Sequence, residues 1–200
     1  MRSVTGLVHE RVVFDRRVRV LAECMAPLIP PGARVLDVGC GDGTIDALIG
    51  AKRPDVRIEG IDVLVRPRTK IVVTAFDGRT IPFPDNSFDA AMFIDVLHHT
   101  GDPLVLLREA MRVAGTIVLK DHCRDGLLAG PTLRFMDYVG NAHHGVALPY
   151  NYWRRRQWDA VFRTLGLKVG SWSDRLGLYV WPASLLFDRD LHFVCSLSRG

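Results

Sequence analysis

Three glycines alternate with single residues in Asp37-Val38-Gly39-Cys40-Gly41-Asp42-Gly43, between an apolar run and a stretch with helical patterning. Glycine carries no Cβ and accepts positive φ, so such a turn lets a ligand approach the backbone. Asp37 and Asp42 flank the turn, which therefore attracts cations and repels a pyrophosphate. Dinucleotide loops read Gly-x-Gly-x-x-Gly, whereas here Thr44 holds the third position and Gly43 comes one residue early. Asp62 ends Gly60-Ile61-Asp62, where a carboxylate can accept from both hydroxyls of a ribose. Asp77, with Gly78 beside it, is placed to accept from an adenine amino group, or else simply caps its own loop.

S-adenosylmethionine (SAM) meets these terms, because it brings an ammonium and a sulfonium but no phosphate. Asp62 by itself leaves a dinucleotide open. Methyl transfer from a sulfonium is an in-line displacement, in which a protein supplies alignment, desolvation and, where the acceptor must lose a proton, a base. Asp95, His98 and His99 follow one apolar run and Asp121 and His122 another, on the side where such a ligand is expected. Imidazole titrates near neutrality, so each histidine is a candidate base; His122 is the first choice and His99 the second, with Asp95 counted among the cofactor contacts. His98 and His99 read equally well as residues that cap or pack the following turn. These imidazoles, with His143, His144 and nearby carboxylates, could also ligate a metal, but their spacing matches no metal motif and no metal site is expected.

The elements that must position these residues follow from the apolar pattern. Val13, Val20, Leu21, Met25 and Leu28 recur at helical spacing and predict an amphipathic helix over residues 9–29. Buried strands are expected at 33–38, 56–62, 70–75, 88–95 and 116–120, with helices at 44–52 and 103–113. Residues 122–152 read as an irregular insertion, rich in aromatic and histidine side chains and long enough to serve recognition. A helix over 154–165, stopped by Gly166, and strands near 167–172 and 191–197 close the chain. The fold class is α/β: a Rossmann-like, doubly wound sheet of about seven strands, mostly parallel with an antiparallel C-terminal strand, in one domain spanning 1–200. Within it, 1–32 forms a helical cover and 122–152 the acceptor-binding insertion.

Composition narrows the function classes. The 26 basic and 22 acidic residues leave a formal charge of +4, mild for 200 residues and far from that of a dedicated nucleic-acid binder. Four dispersed cysteines suggest neither a zinc knuckle nor a disulfide framework. The amino terminus carries His9, Glu10 and Arg11 where a signal peptide needs an apolar core, and the stretch 176–187 is too short to span a bilayer. A cytoplasmic protein without a transmembrane segment is expected.

The chain resembles the class I SAM-dependent methyltransferases, in particular the type 11 group. Val35 to Gly43 resembles the first family motif, Gly60-Ile61-Asp62 the ribose motif, and Asp77 with Ile81-Pro82-Phe83 the adenine side. Phe88 to Phe93 resembles the fourth strand, and Leu106 to Val113 the helix before the fifth. The resemblance implies that Asp37, Gly39 and Gly41 hold the methionine end of SAM. It also implies a helix between the second and third strands, for which residues 63–69 leave no room. The adenine pocket is then open, walled by Leu64 and Val65, or completed by another chain in a homodimer. A small-molecule acceptor is expected, because Asp95-Val96-Leu97-His98 lacks the Asn/Asp-Pro-Pro-aromatic pattern of amine-directed nucleic-acid enzymes and no Pro-Cys pair is present. Arg154-Arg155-Arg156 keeps a nucleic-acid acceptor as the alternative, and the missing helix keeps a regulatory SAM-binding protein without catalysis.

Overall fold

A computed structural model describes residues 4–141 and 149–200; of residues 4–13 and 140–141 it describes the backbone only. The strands are β1 (Arg34–Val38), β2 (Arg57–Asp62), β3 (Val73–Ala75), β4 (Phe88–Ile94), β5 (Ala114–His122), β6 (Leu167–Ser173) and β7 (His192–Arg199). The helices are α1 (Val4–Met25), α2 (Thr44–Lys52), α3 (Pro103–Val113), α4 (Ala129–Asn141), α5 (Arg155–Thr164) and the single turn α6 (Ser184–Phe187). One seven-stranded sheet runs β3-β2-β1-β4-β5-β7-β6. All pairs are parallel except those of β7, which runs antiparallel to β5 and β6. The expected fold class is the observed one.

Because side chains alternate across a strand, each central strand feeds two cores. Val35, Met92, Val118 and Val194 pack with Leu21, Met25 and Ile49 on the face covered by α1 and α2. Leu36, Phe93, Leu119 and Cys195 pack with Leu107, Ala110, Trp158 and Phe162 on the face covered by α3 and α5. In α1, Val18, Leu21, Ala22 and Met25 are buried, a spacing of three and four that keeps one stripe on the sheet. α1 gives way at Met25 to a 3-10 turn over Ala26–Leu28, with Pro27 near its start, so the predicted single helix to 29 is two pieces. Asp102 caps α3 by accepting from Leu104 N–H at 3.0 Å, ahead of Pro103.

Three expectations change. β5 runs to His122 rather than Lys120, so Asp121 and His122 lie inside the sheet, paired with Phe193 and His192 of β7. The insertion is not irregular throughout, since α4 fills its centre; His143 and His144 lie outside the described residues. β3 begins at Val73, and residues 63–72 contain no helix. That linker instead folds over the glycine turn, with Lys70 N–H bonded to Asp42 O at 2.7 Å and Ile71 packed where a Cβ on Gly43 would lie. Among the described residues no helix is long and apolar enough to cross a membrane.

Candidate functional site

The glycine turn leaves the carboxyl end of β1 with Gly39, Gly41 and Gly43 all at positive φ. The first and last are glycines because the fold packs there: a Cβ on Gly39 would come within 2.6 Å of Val96, and one on Gly43 within 2.5 Å of Ile71. Gly41 differs, since a Cβ there would meet nothing within 4 Å. Its residue type reflects the turn at φ +62° and leaves open space over the backbone. Asp42 Oδ1 accepts from Thr44 N–H at 3.0 Å and so starts α2.

Asp62 sits at the end of β2, with Oδ2 accepting from Gly41 N–H and Oδ1 from Leu64 N–H, each at 2.8 Å. Each carboxylate oxygen has a second acceptor site, so the anchored group can still receive a pair of hydroxyls. Asp77 is exposed, and its Oδ1 accepts from Arg79 and Thr80 N–H at 2.8 and 2.7 Å, which hold its pKa down. This is the loop-capping arrangement. Gly78, at φ +79°, lies beside Val63, which stands 3.0 Å from where its Cβ would be.

Asp37 lies beneath the turn at 2 % exposure, and its Oδ1 has no hydrogen-bond partner. Asp46, in the first turn of α2, is 1 % exposed, and neither of its oxygens has one. Burial, then the adjacent Asp46 carboxyl, raises the Asp37 pKa well above the ordinary range. Asp46 is raised in turn, chiefly by burial, to about 6. A desolvated acid pair with unpartnered oxygens under an open glycine backbone suits a cationic ligand, and these acceptors fit the ammonium end of SAM.

The carboxyl ends of β4 and β5 carry a second polar cluster. Asp95, at φ +60°, bridges Arg17 of α1 and Lys120 of β5. Lys120 is fully buried, which lowers its pKa against the pull of Asp95. Asp95 therefore ties α1 to the sheet, using one oxygen for each partner. Asp121 is buried and accepts from Leu97 N–H at 3.1 Å, His122 N–H at 2.7 Å and the His98 ring at 2.7 Å. Burial opposes protonation of His98, but Asp121, with help from Asp137 and Asp95, prevails and raises its pKa to about 10.

His122 is buried behind this group, its ring 4.6 Å from that of His98 and 4.8 Å from that of His192. Burial, then the Lys120 charge, drives its pKa well below the usual value and keeps it neutral. It sits in the sheet and not at an open mouth. His99 is the more open ring, its side chain 16 % exposed, with its pKa lowered by burial and by His98. Asp137 of α4 closes the group, with Oδ1 at 3.5 Å from His98 Nε2 and 3.8 Å from His99 Nε2, and Oδ2 bonded to the Tyr152 hydroxyl at 2.5 Å.

The fold thus brings Asp37, Gly39, Gly41 and Asp62 around one turn, and His98, His99 and His122 around another. The expected site does not include Asp46, Arg17 or Lys120, and it includes Asp137 and Tyr152 only as part of the acceptor-binding insertion. For Asp46 and Lys120 a signal was present, an ionisable residue at a position where the pattern calls for an apolar one.

Residues 9–171 match a family model described as a methyltransferase domain. Phosphoethanolamine N-methyltransferase 1 of Arabidopsis thaliana is 31% identical over 125 residues, covering 56% of this chain and 25% of the plant protein. The demethylmenaquinone methyltransferase of Renibacterium salmoninarum is 29% identical over 163 residues, 78% of this chain and 66% of that one. The chain thus spans a quarter of the first relative and just under two thirds of the second. A SAM-dependent methyltransferase from Mesorhizobium loti shares the fold with a TM-score of 0.65 at 18% identity, over 88% of this chain and 96% of that one. With the glycine turn and Asp62 inside the matched span, and the sheet ordered as observed, the chain belongs to the class I SAM-dependent methyltransferases.

Proposed function

We propose that the chain transfers a methyl group from SAM to a small-molecule acceptor. The observation that carries this is the join between Gly41 and Asp62: the ribose carboxylate is hydrogen-bonded to the one loop N–H whose Cβ direction is empty. Loop backbone and ribose acceptor therefore form a single cradle, and Asp37 beneath it, with Oδ1 unpartnered, would ionise against the incoming ammonium. When bound, SAM supplies an electrophilic methyl group. The chain's own residues would hold the nucleoside on Asp62 and between Val63 and Gly78, hold the ammonium near Asp37, and exclude water from the ends of β4 and β5.

Acceptor recognition falls to α4 and the following segment, where Leu133, Tyr152 and Leu191 pack with Met136 and Tyr150 while Phe135 and Tyr138 stay exposed. Such an aromatic cover suits a small or amphipathic acceptor. The names of the relatives, acting on phosphoethanolamine and on a quinone, support that class. His122, neutral and packed among rings, positions its neighbours rather than meeting the acceptor.

Calorimetry tests the reading. SAM should bind the wild type more tightly than NAD, and Asp62→Ala should weaken SAM by about 1.5–3 kcal/mol, the range for hydrogen bonds to a charged group. Tighter binding of NAD ends the assignment. Acceptor class is read by hydrogen exchange with S-adenosylhomocysteine present: a small acceptor should protect α4, whereas protection by oligonucleotides at 66–70 and 154–156 would replace it with a nucleic acid.

A further inference from the structure

His98 Nδ1 lies 2.7 Å from Asp121 Oδ1. A carboxylate only accepts, so Nδ1 carries the proton and donates it. Asp121 is itself fixed by the N–H groups of Leu97 and His122, so the His98 ring is locked in orientation. Its other nitrogen, Nε2, whose proton an ion would displace, belongs to a side chain only 1 % exposed and lies 3.5 Å from Asp137 Oδ1, which stands 3.8 Å from His99 Nε2. One ligand atom from each of these three residues lies within 4.8 Å of the others. Atoms held about 2.1 Å from one tetrahedral ion stand about 3.4 Å apart. The observed 3.5 and 3.8 Å separations from Asp137 need only a slight contraction.

We propose that His98, His99 and Asp137 form a site for a divalent transition-metal ion. Two imidazoles and one carboxylate suit a borderline cation of the Zn²⁺ or Co²⁺ kind rather than Ca²⁺ or Mg²⁺, which prefer oxygen. The shell behind the ligands is the one such sites carry, with a carboxylate holding the far nitrogen of a ligating histidine, here Asp121 on His98, and Tyr152 holding the second oxygen of Asp137. Three protein ligands leave a fourth position, the arrangement of a catalytic rather than a structural ion. Asp137 comes from α4 and the histidines from the turn after β4, so the ion would pin the cover to the sheet. On the methyl-transfer reading, on which only this use rests, the open position would take an acceptor oxygen and lower its pKa.

Addition of Co²⁺ to the chelator-treated full chain, without SAM, tests the site independently of that reading. We expect visible d–d absorption of a tetrahedral or five-coordinate centre at one equivalent, displaced by Zn²⁺. His99→Ala and Asp137→Asn should abolish it while retaining the wild-type circular dichroism. Asp121→Asn should weaken cobalt binding about 10–100-fold, the cost of losing a partner behind a ligand. His122→Ala should leave the band in place. No band, as when a proton on His98 Nε2 simply bridges to Asp137, overturns the proposal. So does a band that survives His99→Ala and Asp137→Asn but is lost with His122→Ala, because the ion would then lie among Asp95, His98 and His122.

Discussion

Asp37 and Asp46 place two carboxyl groups under one glycine turn, both nearly inaccessible to water and with three of their four oxygens unpartnered. A group whose pKa is raised in the folded chain binds protons more tightly there than in the unfolded one. Its contribution to stability is therefore complete below the unfolded value and lost as the pH climbs through the folded value. For Asp46 the window runs from the ordinary 3.8 to about 6. Urea titrations of the ligand-free protein should show Asp46→Asn gaining on the wild type between about pH 4 and pH 7, as the wild type must ionise Asp46 in a buried site and the variant does not. A difference between the two that stays flat with pH would show that the pair does not titrate in this range. The acids around Asp95 and Asp121 have lowered pKa values and act in the opposite sense at lower pH, which is why the comparison is with a variant and not with the absolute curve.

At the scale of elements, α1 is fastened by more than its apolar stripe. Arg17 reaches Asp95, and Asp95 reaches Lys120 near the carboxyl end of β5, so helix and sheet share one carboxylate. Asp95→Asn would leave a fully buried ammonium without its carboxylate, and the loss of stability should be about 3–5 kcal/mol by chemical denaturation. Lys120→Met should cost much less, since Asp95 keeps Arg17; equal losses would mean that the carboxylate is not what holds the element. The same residues show what was legible in the sequence. The helices expected at 44–52 and 103–113 have those bounds, because burial of one face is a local pattern, whereas α1, expected over 9–29, runs from Val4 to Met25. β5 was cut short at Lys120 because Asp121 and His122 look like the start of a loop. Asp121 remains in the sheet because it finds its partners inside, on His98 and on backbone N–H groups, and the His122 ring packs against those of His98 and His192. Asp137 shows the converse: only the fold brings α4 back over the turn after β4, and nothing around position 137 in the sequence records that encounter.

Across the whole molecule, the glycine turn, the ribose acid and the strand order are the parts that local patterns reveal most fully, since each depends on residues close in sequence or on a regular alternation of elements. The linker from β2 to β3 was legible only as an absence, a stretch too short for a helix. What replaces the helix could not be read there: a segment bonded back to Asp42 and packed by Ile71 on the glycine turn, with Val63, Leu64, Val65 and Val72 left 41–72 % exposed. One side of the sheet thus ends in a three-residue strand and an uncovered loop, where an adenine ring would be wedged by Val63 and Gly78 and otherwise wetted. Such a berth governs residence time more than recognition. The spent cofactor, S-adenosylhomocysteine, has neither the sulfonium charge nor a helix closed over its base to detain it. It should leave faster than the methyl donor, and steady-state assays with added S-adenosylhomocysteine should show weak product inhibition, with an inhibition constant above the Kd for SAM. An enzyme of this build would clear its own product without help and keep turning over as the pool of donor runs down.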